Sequence, residues 1–360
     1  MSFDLQPTEE QSALQATLHD FAGEVIRPAA RACEAARKTS AEIASQIHEI
    51  GVTAPVPEEF GGGGTLDAVT YCIAAEELAW GNPGIAYQAL GSGLSAILIG
   101  LAGTEAQKQR YLPRFVDGSP CPTFVATGEK FAAGDFEALE TTVDGYKVVG
   151  EKYGVLNATD APLGIVAGRT STGLGAVIVE AESYEVVKPE DKMGLEAAPT
   201  SVVRFEGVGE ALAGPQLERA LLWAKLMTGA IAVGCARASS EHAAQYATER
   251  EAFGKPIGAF QAISFMVADM AIAVDAARLA VWEAAWAIDN DDATLDHIAA
   301  ANSQALEAAI RCGDDGVQVL GGHGYIKDHP VEMWFRDAVT LSVFDAPELL
   351  GDAIAARAAL

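Results

Sequence analysis

The pattern of apolar and polar residues changes twice along the chain. Over residues 1–120, apolar side chains recur at helical spacing. The spacing predicts one helix that begins after a cap at Thr8 and reaches about Ala36. It predicts further helices over 65–80 and 104–117. The first region is therefore expected to be an N-terminal α-helical domain.

The middle of the chain has the pattern of short strands. From about residue 122 to residue 214, β-branched runs are separated by Gly, Asp and Pro. This spacing is typical of a compact β-domain. The predicted strands lie at 146–150, 163–168, 175–179 and 202–206.

Helical spacing returns from Leu217 onward. The segments are rich in alanine and largely apolar, which is typical of helices that bury one another in a bundle. The whole order predicts an α+β fold in three domains: an N-terminal α-helical domain at 1–120, a β-domain at 121–215 and a C-terminal four-helix bundle at 216–360. The predicted bundle helices lie near 217–249, 258–288, 293–321 and 347–359.

Composition and charge narrow the class of protein. The 360 residues include 50 acidic and 24 basic side chains, a formal net charge of −26. Such a surface repels nucleic acid, so we expect no nucleic-acid partner. No apolar run reaches the ~18 residues that span a membrane. The N-terminus also lacks a basic region followed by an apolar stretch, so we expect no membrane span and a cytoplasmic location.

The cysteines give no sign of a disulfide framework or a metal site. They are far apart, odd in number, and form neither a CxxC motif nor a Cys/His ligand spacing. We expect buried, reduced thiols and no metal. The cysteines are Cys33, Cys72, Cys121, Cys235 and Cys312.

Several segments carry a family resemblance. Residues 249–269 read EREAFGKPIGAFQAISFMVAD, and residues 317–338 read VQVLGGHGYIKDHPVEMWFRDA. Residues 57–62 read PEEFGG, and residues 103–113 read GTEAQKQRYLP. Together with the α–β–α order, these segments resemble the acyl-CoA dehydrogenase family across almost the whole chain.

The resemblance implies an FAD-dependent enzyme. It would dehydrogenate acyl-CoA thioesters at the α,β bond and pass electrons to an electron-transfer flavoprotein. In this family FAD lies across a subunit interface. One chain surrounds the isoalloxazine ring, and its neighbour holds the pyrophosphate and adenine. A pyrophosphate favours a fixed guanidinium and backbone N–H donors from glycine-rich turns.

The pyrophosphate half of the family's site is present in this chain. Arg250 matches the phosphate-binding arginine, and Phe253 matches its aromatic companion. Read without the resemblance, Arg250 is a solvated charge at a helix end and Phe253 is a core residue. The resemblance predicts a cofactor-binding set of Arg250, Phe253, Gln261, Gln318, Gly321 and Gly322.

The flavin-ring half departs from the family pattern. Where the family has Thr-Glu-Pro-x-x-Gly-Ser-Asp, this chain has Gly128, Lys130 and Gly134 in place of the threonine, proline and serine. Gly154 and Leu156 replace the tryptophan that covers the ring and the threonine near its reactive nitrogen. Glycine removes up to ~200 Å² of aromatic contact surface. Leucine supplies no hydrogen-bond donor.

The catalytic base also departs from the pattern. Asp345 stands where the family has glutamate, and the next two residues are Ala346 and Pro347 instead of Gly-Thr. Aspartate can take the α-proton, but it is shorter by roughly 1 Å, and a displacement of that size can cost ~100-fold in rate. Some relatives place their glutamate on an earlier helix. The matching position here is about Ala224, which offers no base.

Other polar residues near these segments have no assigned chemistry. Glu129, Lys130 and Lys152 are interpreted as either exposed surface or new contacts. His323 and His329 lie beside the predicted adenosine turn and are interpreted as structural or adenosine-adjacent.

Three functions remain open. The chain could be a self-sufficient homo-oligomeric acyl-CoA dehydrogenase with Asp345 as base. It could instead be the degenerate subunit of a heteromeric enzyme that completes the FAD site of a second acyl-CoA dehydrogenase-like chain. A third possibility is a relative with altered chemistry. Because the departures fall in one half-site and the retained residues in the other, the pattern favours the partner subunit.

Overall fold

The computed structural model describes residues 6–130, 135–212 and 214–344. The predicted helix at 347–359 and the predicted base Asp345 lie outside these residues. In the described part, the α–β–α order and the fold class are confirmed. The domain boundaries at 120 and 215 stay predictions.

The N-terminal region begins with the helix predicted from Thr8 to Ala36. The Thr8 hydroxyl accepts from the backbone N–H of Gln11, and the Gln11 side chain accepts from the N–H of Thr8, which closes a capping box. The helical path continues through a π-helical segment at Ala22–Ile26 and ends where Arg37 turns left-handed. Helices in this region are α1 (Glu9–Phe21), α2 (Arg27–Ala36), α3 (Ala41–Ile50), α4 (Ala68–Gly81), α5 (Pro83–Ala102) and α6 (Glu105–Tyr111).

Helix α5 is buried on nearly all sides, and the sequence pattern did not predict it as a separate helix. Asn82 caps it, and Pro83 occupies its first turn. Two glycines let neighbours approach its axis. A Cβ at Gly93 would lie 1.3 Å from the Thr53 carbonyl oxygen, and one at Gly91 would lie 2.5 Å from a Leu156 methyl carbon. These contacts fix α5 against a loop and a strand.

The middle region is a mostly antiparallel sheet. Its strands are β1 (Thr123–Ala126), β2 (Thr142–Asp144), β3 (Lys147–Leu156), β4 (Leu163–Thr170), β5 (Gly173–Glu180), β6 (Tyr184–Pro189), β7 (Thr200–Val208) and β8 (Glu210–Leu212). They lie in the order β6-β7-β3-β2-β4-β5-β8, with β1 pairing parallel to β4. The sheet has its own apolar core, which includes Phe124, Val166 and Phe205.

The C-terminal helices are α7 (Leu217–Glu249), α8 (Gln261–Asp289), α9 (Leu295–Leu320) and α10 (Val331–Val343). The predicted range of α7 is confirmed, and the ranges near 258–288 and 293–321 are confirmed to within a few residues. A short hairpin of β9 (Glu251–Ala252) and β10 (Lys255–Pro256) joins α7 to α8. Helix α10 was not predicted.

Buried charges tie the two helical regions together. On α7, Arg237 lies 2.7 Å from Glu76 of α4 and also pairs with Glu77. Arg278 of α8 lies 2.8 Å from the same Glu76 oxygen. Burial opposes ionisation of Glu77, but hydrogen bonds from Arg237 outweigh it and lower the pKa of that carboxyl. The network therefore sets the register of α4 against α7 and α8.

Among residues 6–130, 135–212 and 214–344, two helices are long and apolar enough to cross a membrane by length and composition alone. They are α5 and α7, although the sequence pattern predicted no such run. In the fold, 78% of the apolar window of α5 and 89% of that of α7 are buried against other elements. Their hydropathy is accounted for by the core of the helical regions.

Candidate active site

A central cavity of about 240 Å³ lies where the sheet meets both helical regions. Thr127 and Gly128 line it directly after strand β1, Gly154 lines it from β3, and α7 contributes Ala224, Lys225, Met227 and Thr228. Phe344, which ends the described chain, lies in the wall. The family resemblance predicts that the flavin ring lies against these segments, and the fold brings the segments together.

Gly154 marks a local distortion of β3. The register shifts between Lys152 and Val155, and Gly154 has a φ of +65°. This left-handed conformation favours glycine over any residue with a Cβ. A Cβ here would lie 3.6 Å from the Phe344 ring, which also packs 5.6 Å from the ring of Tyr87. Phe344 therefore lies against the backbone at the position where the family carries its tryptophan.

Gly128 is constrained by the same strand. Its carbonyl accepts from the Tyr153 N–H at 3.0 Å, and a Cβ at Gly128 would lie 2.8 Å from the Tyr153 carbonyl oxygen. A threonine at this position would require the two segments to separate. Leu156 is only 5% exposed and packs on Gly91 of α5. The position that offers a hydroxyl in the family is used here for core packing.

A buried ion pair joins Lys152 to Glu129, which lines the cavity. Their charged atoms lie 2.6 Å apart, and the side chains are 0% and 5% exposed. Lys152 also donates to the Thr127 carbonyl at 3.2 Å, and Glu129 accepts from the Thr141 N–H at 3.0 Å. Burial opposes ionisation of Glu129, but Lys152 outweighs it, so the pKa of Glu129 is lowered. Of the two interpretations left open, new contacts is therefore correct for both residues, and exposed surface is wrong.

Two polar residues of the cavity were not identified from the sequence. Glu190 accepts from the Gly154 N–H at 3.3 Å through Oε1, while its Oε2 is buried without a hydrogen-bond partner. Lys225 is 7% exposed, and its Nζ lies 5.0 Å from the centre of the Phe136 ring. Ala224, the position considered for an alternative base, does line the cavity. Only the fold shows that Glu190 and Lys225 meet there.

The second set of predicted residues lies at the opposite end of α7. Arg250 is exposed and follows the last residue of α7. Phe253 and Gly254 form the turn of the β9–β10 hairpin with φ values of +53° and +81°. Phe253 is 96% exposed, so its interpretation as a core residue was wrong.

The glycine turn after α9 packs beside the same end of α7. Tyr246 accepts the Arg250 N–H through its carbonyl at 2.8 Å, and its hydroxyl lies 3.3 Å from His323 Nδ1. His329 is 3.3 Å from His242, ring nitrogen to ring nitrogen, which fits a structural role. We call the exposed set the α7 end surface, and it consists of Arg250, Phe253, Gln261, Gln318, Gly321 and Gly322.

Within one chain, the cavity residues and the α7 end surface are too far apart to bind the same FAD molecule. Thr228 in the cavity wall and Arg250 are 22 residues apart (250 − 228), which is roughly 33 Å of helix at 1.5 Å per residue. That separation is longer than FAD can bridge. The α7 end surface offers an exposed guanidinium and open backbone at Gly321 and Gly322, where an added Cβ would meet nothing within 4 Å. It fits a pyrophosphate presented by another chain.

The flavin ring fits the central cavity less well. Gly128 and Gly154 carry no side chain, Leu156 is packed into the core, and Lys152 is committed to Glu129. The donors that the family directs at the ring are thus absent from these positions. Asp345 directly follows Phe344 but lies outside the described residues.

Comparisons with known proteins agree with the resemblance. The family model of the acyl-CoA dehydrogenase N-terminal domain matches residues 8–119, and that of the C-terminal domain matches residues 215–358. A probable acyl-CoA dehydrogenase of Bacillus subtilis (strain 168) is 33% identical over 381 aligned positions, covering 99% of each chain.

Solved structures show the same architecture. Butyryl-CoA dehydrogenase from Megasphaera elsdenii superimposes with a TM-score of 0.86 at 28% identity, covering 99% of each chain. A chain from work on the electron transferring flavoprotein of Acidaminococcus fermentans superimposes with a TM-score of 0.87 at 28% identity, covering 99% of this chain and 100% of that one.

Proposed function

This chain belongs to the acyl-CoA dehydrogenase family of FAD-dependent oxidoreductases that act on acyl-CoA, and from this premise we propose that it works as one subunit of a heteromeric complex. Its α7 end surface supplies the pyrophosphate and adenine half of an FAD site. A second acyl-CoA dehydrogenase-like chain supplies the flavin-ring half, the acyl-CoA site and the base. The complex α,β-dehydrogenates an acyl-CoA thioester.

The observation that carries this proposal is the unequal state of the two regions. Arg250 at the end of α7 and Phe253 in the hairpin turn are both exposed, where another chain can reach them. In the central cavity, Gly154 holds a left-handed conformation that disfavours any residue with a Cβ, the family's tryptophan included, and Leu156 is buried in core packing. A chain that served only itself would need both regions.

Helix α8 offers a surface for such a partner. Phe265, Ile272 and Leu279 are 60%, 66% and 38% exposed and follow one another at intervals of seven residues. Residues at that spacing lie on one face of a helix. An exposed apolar stripe of this kind is typical of an interface between chains. It begins one helical turn after Gln261 of the α7 end surface, so a chain packed on it would also approach that surface.

In the proposed complex, FAD and the residues of the α7 end surface have separate roles. When bound, FAD supplies the hydride acceptor for the β-carbon of the substrate. Arg250 would hold the pyrophosphate by charge-assisted hydrogen bonds, and Gly321 and Gly322 would let their backbone approach the adenosine. An electron-transfer flavoprotein as acceptor and a cytoplasmic location are parts of the same proposal.

The test begins with this chain alone and with a co-expressed partner chain. Flavin absorbance of each purified sample is measured against protein concentration. We expect a colourless chain alone and stoichiometric FAD in the complex. Stoichiometric FAD in the chain alone, bleached by an acyl-CoA, would refute the subunit proposal and support the homo-oligomer with Asp345 as base.

A variant pair connects the flavin content to the α7 end surface. Arg250→Ala in the complex should lower FAD occupancy, while Arg204→Ala, at a half-buried arginine on β7, should leave it unchanged. Asp345→Asn should leave turnover of the complex unchanged, since the partner supplies the base. Loss of turnover in Asp345→Asn would instead assign the base to this chain.

A further inference from the structure

Three histidines and a tyrosine lie together beside the α7 end surface. His242 lies on α7, and His323 and His329 lie on the segment 321–330, which joins α9 to α10. The ring centre of His329 is 5.5 Å from that of His242 and 5.8 Å from that of His323. Tyr246, one turn after His242, lies 5.6 Å from His329 by the same measure. We call these four residues the histidine cluster and the segment 321–330 the turn segment.

Polar contacts of the histidine cluster join the turn segment to α7. His242 Nε2 lies 3.3 Å from His329 Nδ1, and the Tyr246 hydroxyl lies 3.3 Å from His323 Nδ1. The Tyr246 carbonyl also accepts the Arg250 N–H at 2.8 Å. The cluster therefore sets the position of the turn segment, with its two exposed glycines, relative to Arg250.

The turn segment is held less firmly than the helix that it contacts. Most of its residues are exposed, whereas α7 is buried along most of its length. Two hydrogen bonds within the segment are long: the Ile326 N–H lies 3.5 Å from the His323 carbonyl, and the His329 N–H lies 3.4 Å from the Ile326 carbonyl. Segments with few buried contacts open at a lower free energy than the whole fold. If the cluster contacts fail, we expect the turn segment to move and α7 to stay.

Acid disfavours the contact between His242 and His329. Two imidazole nitrogens at this distance need one ring to donate and the other to accept, and fully protonated rings are donors only. Burial, then the facing His329 and Arg27 of α2, lower the pKa of His242 to about 4, and Glu249 acts in the opposite direction. When the turn segment is released, His242 is expected to titrate near its ordinary value of 6.5. The released form then binds protons more readily between about pH 6.5 and 4, so release becomes more favourable as the pH falls through this range.

The nearby carboxylates are engaged by other groups. Glu34 of α2 and Glu332 of α10 lie 3.0 Å and 2.6 Å from Arg31, which itself donates to the His329 carbonyl at 2.9 Å. Glu241 of α7 accepts from Trp80 Nε1 at 2.7 Å. Exposed charges next to the cluster are screened by solvent and salt. The exposed titratable residues on α7 and the turn segment are Glu249, Tyr325, Lys327 and Asp328.

We propose that the histidine cluster is an acid-sensitive attachment of the turn segment to α7. Protonation of its histidines releases the segment and separates Gly321 and Gly322 from Arg250. Release would weaken the contacts of the α7 end surface with a pyrophosphate or an adenosine. This effect on FAD rests on the proposed function, whereas the release itself is a property of this chain alone.

A nitroxide label on the turn segment measures its mobility. Lys327→Cys places the label at an exposed position, and Cys121→Ala removes the half-buried thiol, because the other four cysteines are buried. Electron paramagnetic resonance spectra of the full-length chain are recorded between pH 8 and pH 5. We expect the ratio of mobile to immobile label to rise about tenfold between pH 7 and pH 5, since His242 binds its proton more weakly in the attached form.

Three variants assign the response to the cluster. His242→Gln and His329→Gln each keep a polar side chain that does not titrate in this range, so each should remove most of the pH response. His297→Gln on α9 is the matched control, because this histidine lies 2.8 Å from Glu283 and belongs to no part of the cluster. It should keep the full response. Circular dichroism at each pH establishes that the helices are folded, and if one cluster variant does not fold, the other decides.

Two results would overturn the proposal. They are a label mobility that does not change between pH 7 and pH 5, and a change of equal size in the parent and in the folded cluster variants. Acidifying the complex separates this inference from the proposed function. A segment that is released at pH 5 while FAD stays bound would support the acid-sensitive attachment and contradict the FAD role of the α7 end surface.

Discussion

In the family that this chain resembles, the regions that correspond to the central cavity and the α7 end surface bind two parts of FAD. In this chain the two regions differ in how their residues are used. At the cavity, residues that would face a flavin are absent or packed: Leu156 lies on α5, and Lys152 pairs with Glu129. At the α7 end surface, Arg250 and Phe253 are exposed and pack little within the chain. In the central cavity these residues contribute to packing within the chain, whereas those of the α7 end surface are exposed and can contact another molecule.

The first prediction tests whether the cavity wall is now structural. Lys152→Met should reduce the free energy of unfolding by about 3–5 kcal/mol, because it leaves Glu129 buried without its partner. Urea denaturation at pH 7 measures the loss. The double variant Lys152→Met/Glu129→Gln should recover part of it. A loss below about 1 kcal/mol would mean that the pair behaves like an exposed one.

The second prediction tests the α7 end surface. Arg250→Ala should weaken FAD binding by the complex about 10- to 100-fold, since hydrogen bonds to a charged group contribute about 1.5–3 kcal/mol. Its unfolding free energy should stay within about 0.5 kcal/mol of the parent, because the side chain is exposed. Dialysis against FAD and urea denaturation supply the two values. A large loss of stability with unchanged FAD binding would reverse the roles of the two regions.

The third prediction attempts to restore the cavity. Gly154→Trp should lower stability by at least about 1–2 kcal/mol, since any L-residue at φ +65° is strained. Gly154→Ala isolates that strain and should account for most of the loss. Neither variant should bind flavin in the chain alone. Flavin absorbance in Gly154→Trp without loss of stability would show that the cavity remains a competent ring site.

The fourth prediction is the smallest and concerns pH. The pKa of Glu129 is lowered in the folded protein from an ordinary value of 4.5. Its contribution is therefore fully present above about pH 4.5 and is lost as pH falls through the lower folded value. The stability difference between the parent and Glu129→Gln should shrink as pH falls from 5 to 3. A difference that grows toward low pH would contradict the lowered pKa.

The sequence predicted what depends on local pattern. The range of α7 follows from its apolar spacing, and the start of α1 follows from Thr8 and Gln11. Helix α5 was not predicted separately, because it is apolar all round and shows no amphipathic period. In the candidate site, motif matches located the segments of both regions.

Other features depended on contacts between residues distant in sequence. Glu190 meets Gly154 across 36 residues of chain, and Lys152 meets Glu129 across 23. Neither pairing leaves a pattern in the neighbouring sequence. The sequence alone therefore did not show that the side chains of Lys152 and Glu129 are buried. The exposure of Phe253 agrees with the cofactor-binding set that the resemblance predicts, whereas the local pattern alone favours the core, because an aromatic residue between two helices is usually buried.

The tight seating of α5 has a consequence for how this protein can vary. A methyl group at residue 93 would collide with the Thr53 backbone on one flank, and one at residue 91 would collide with Leu156 on the other. Backbone cannot retreat as a flexible side chain can. This helix should therefore be among the least tolerant stretches in a deep mutational scan. Sequence libraries that aim to reshape the central cavity should keep the glycines of α5 and vary the cavity residues that other elements contribute.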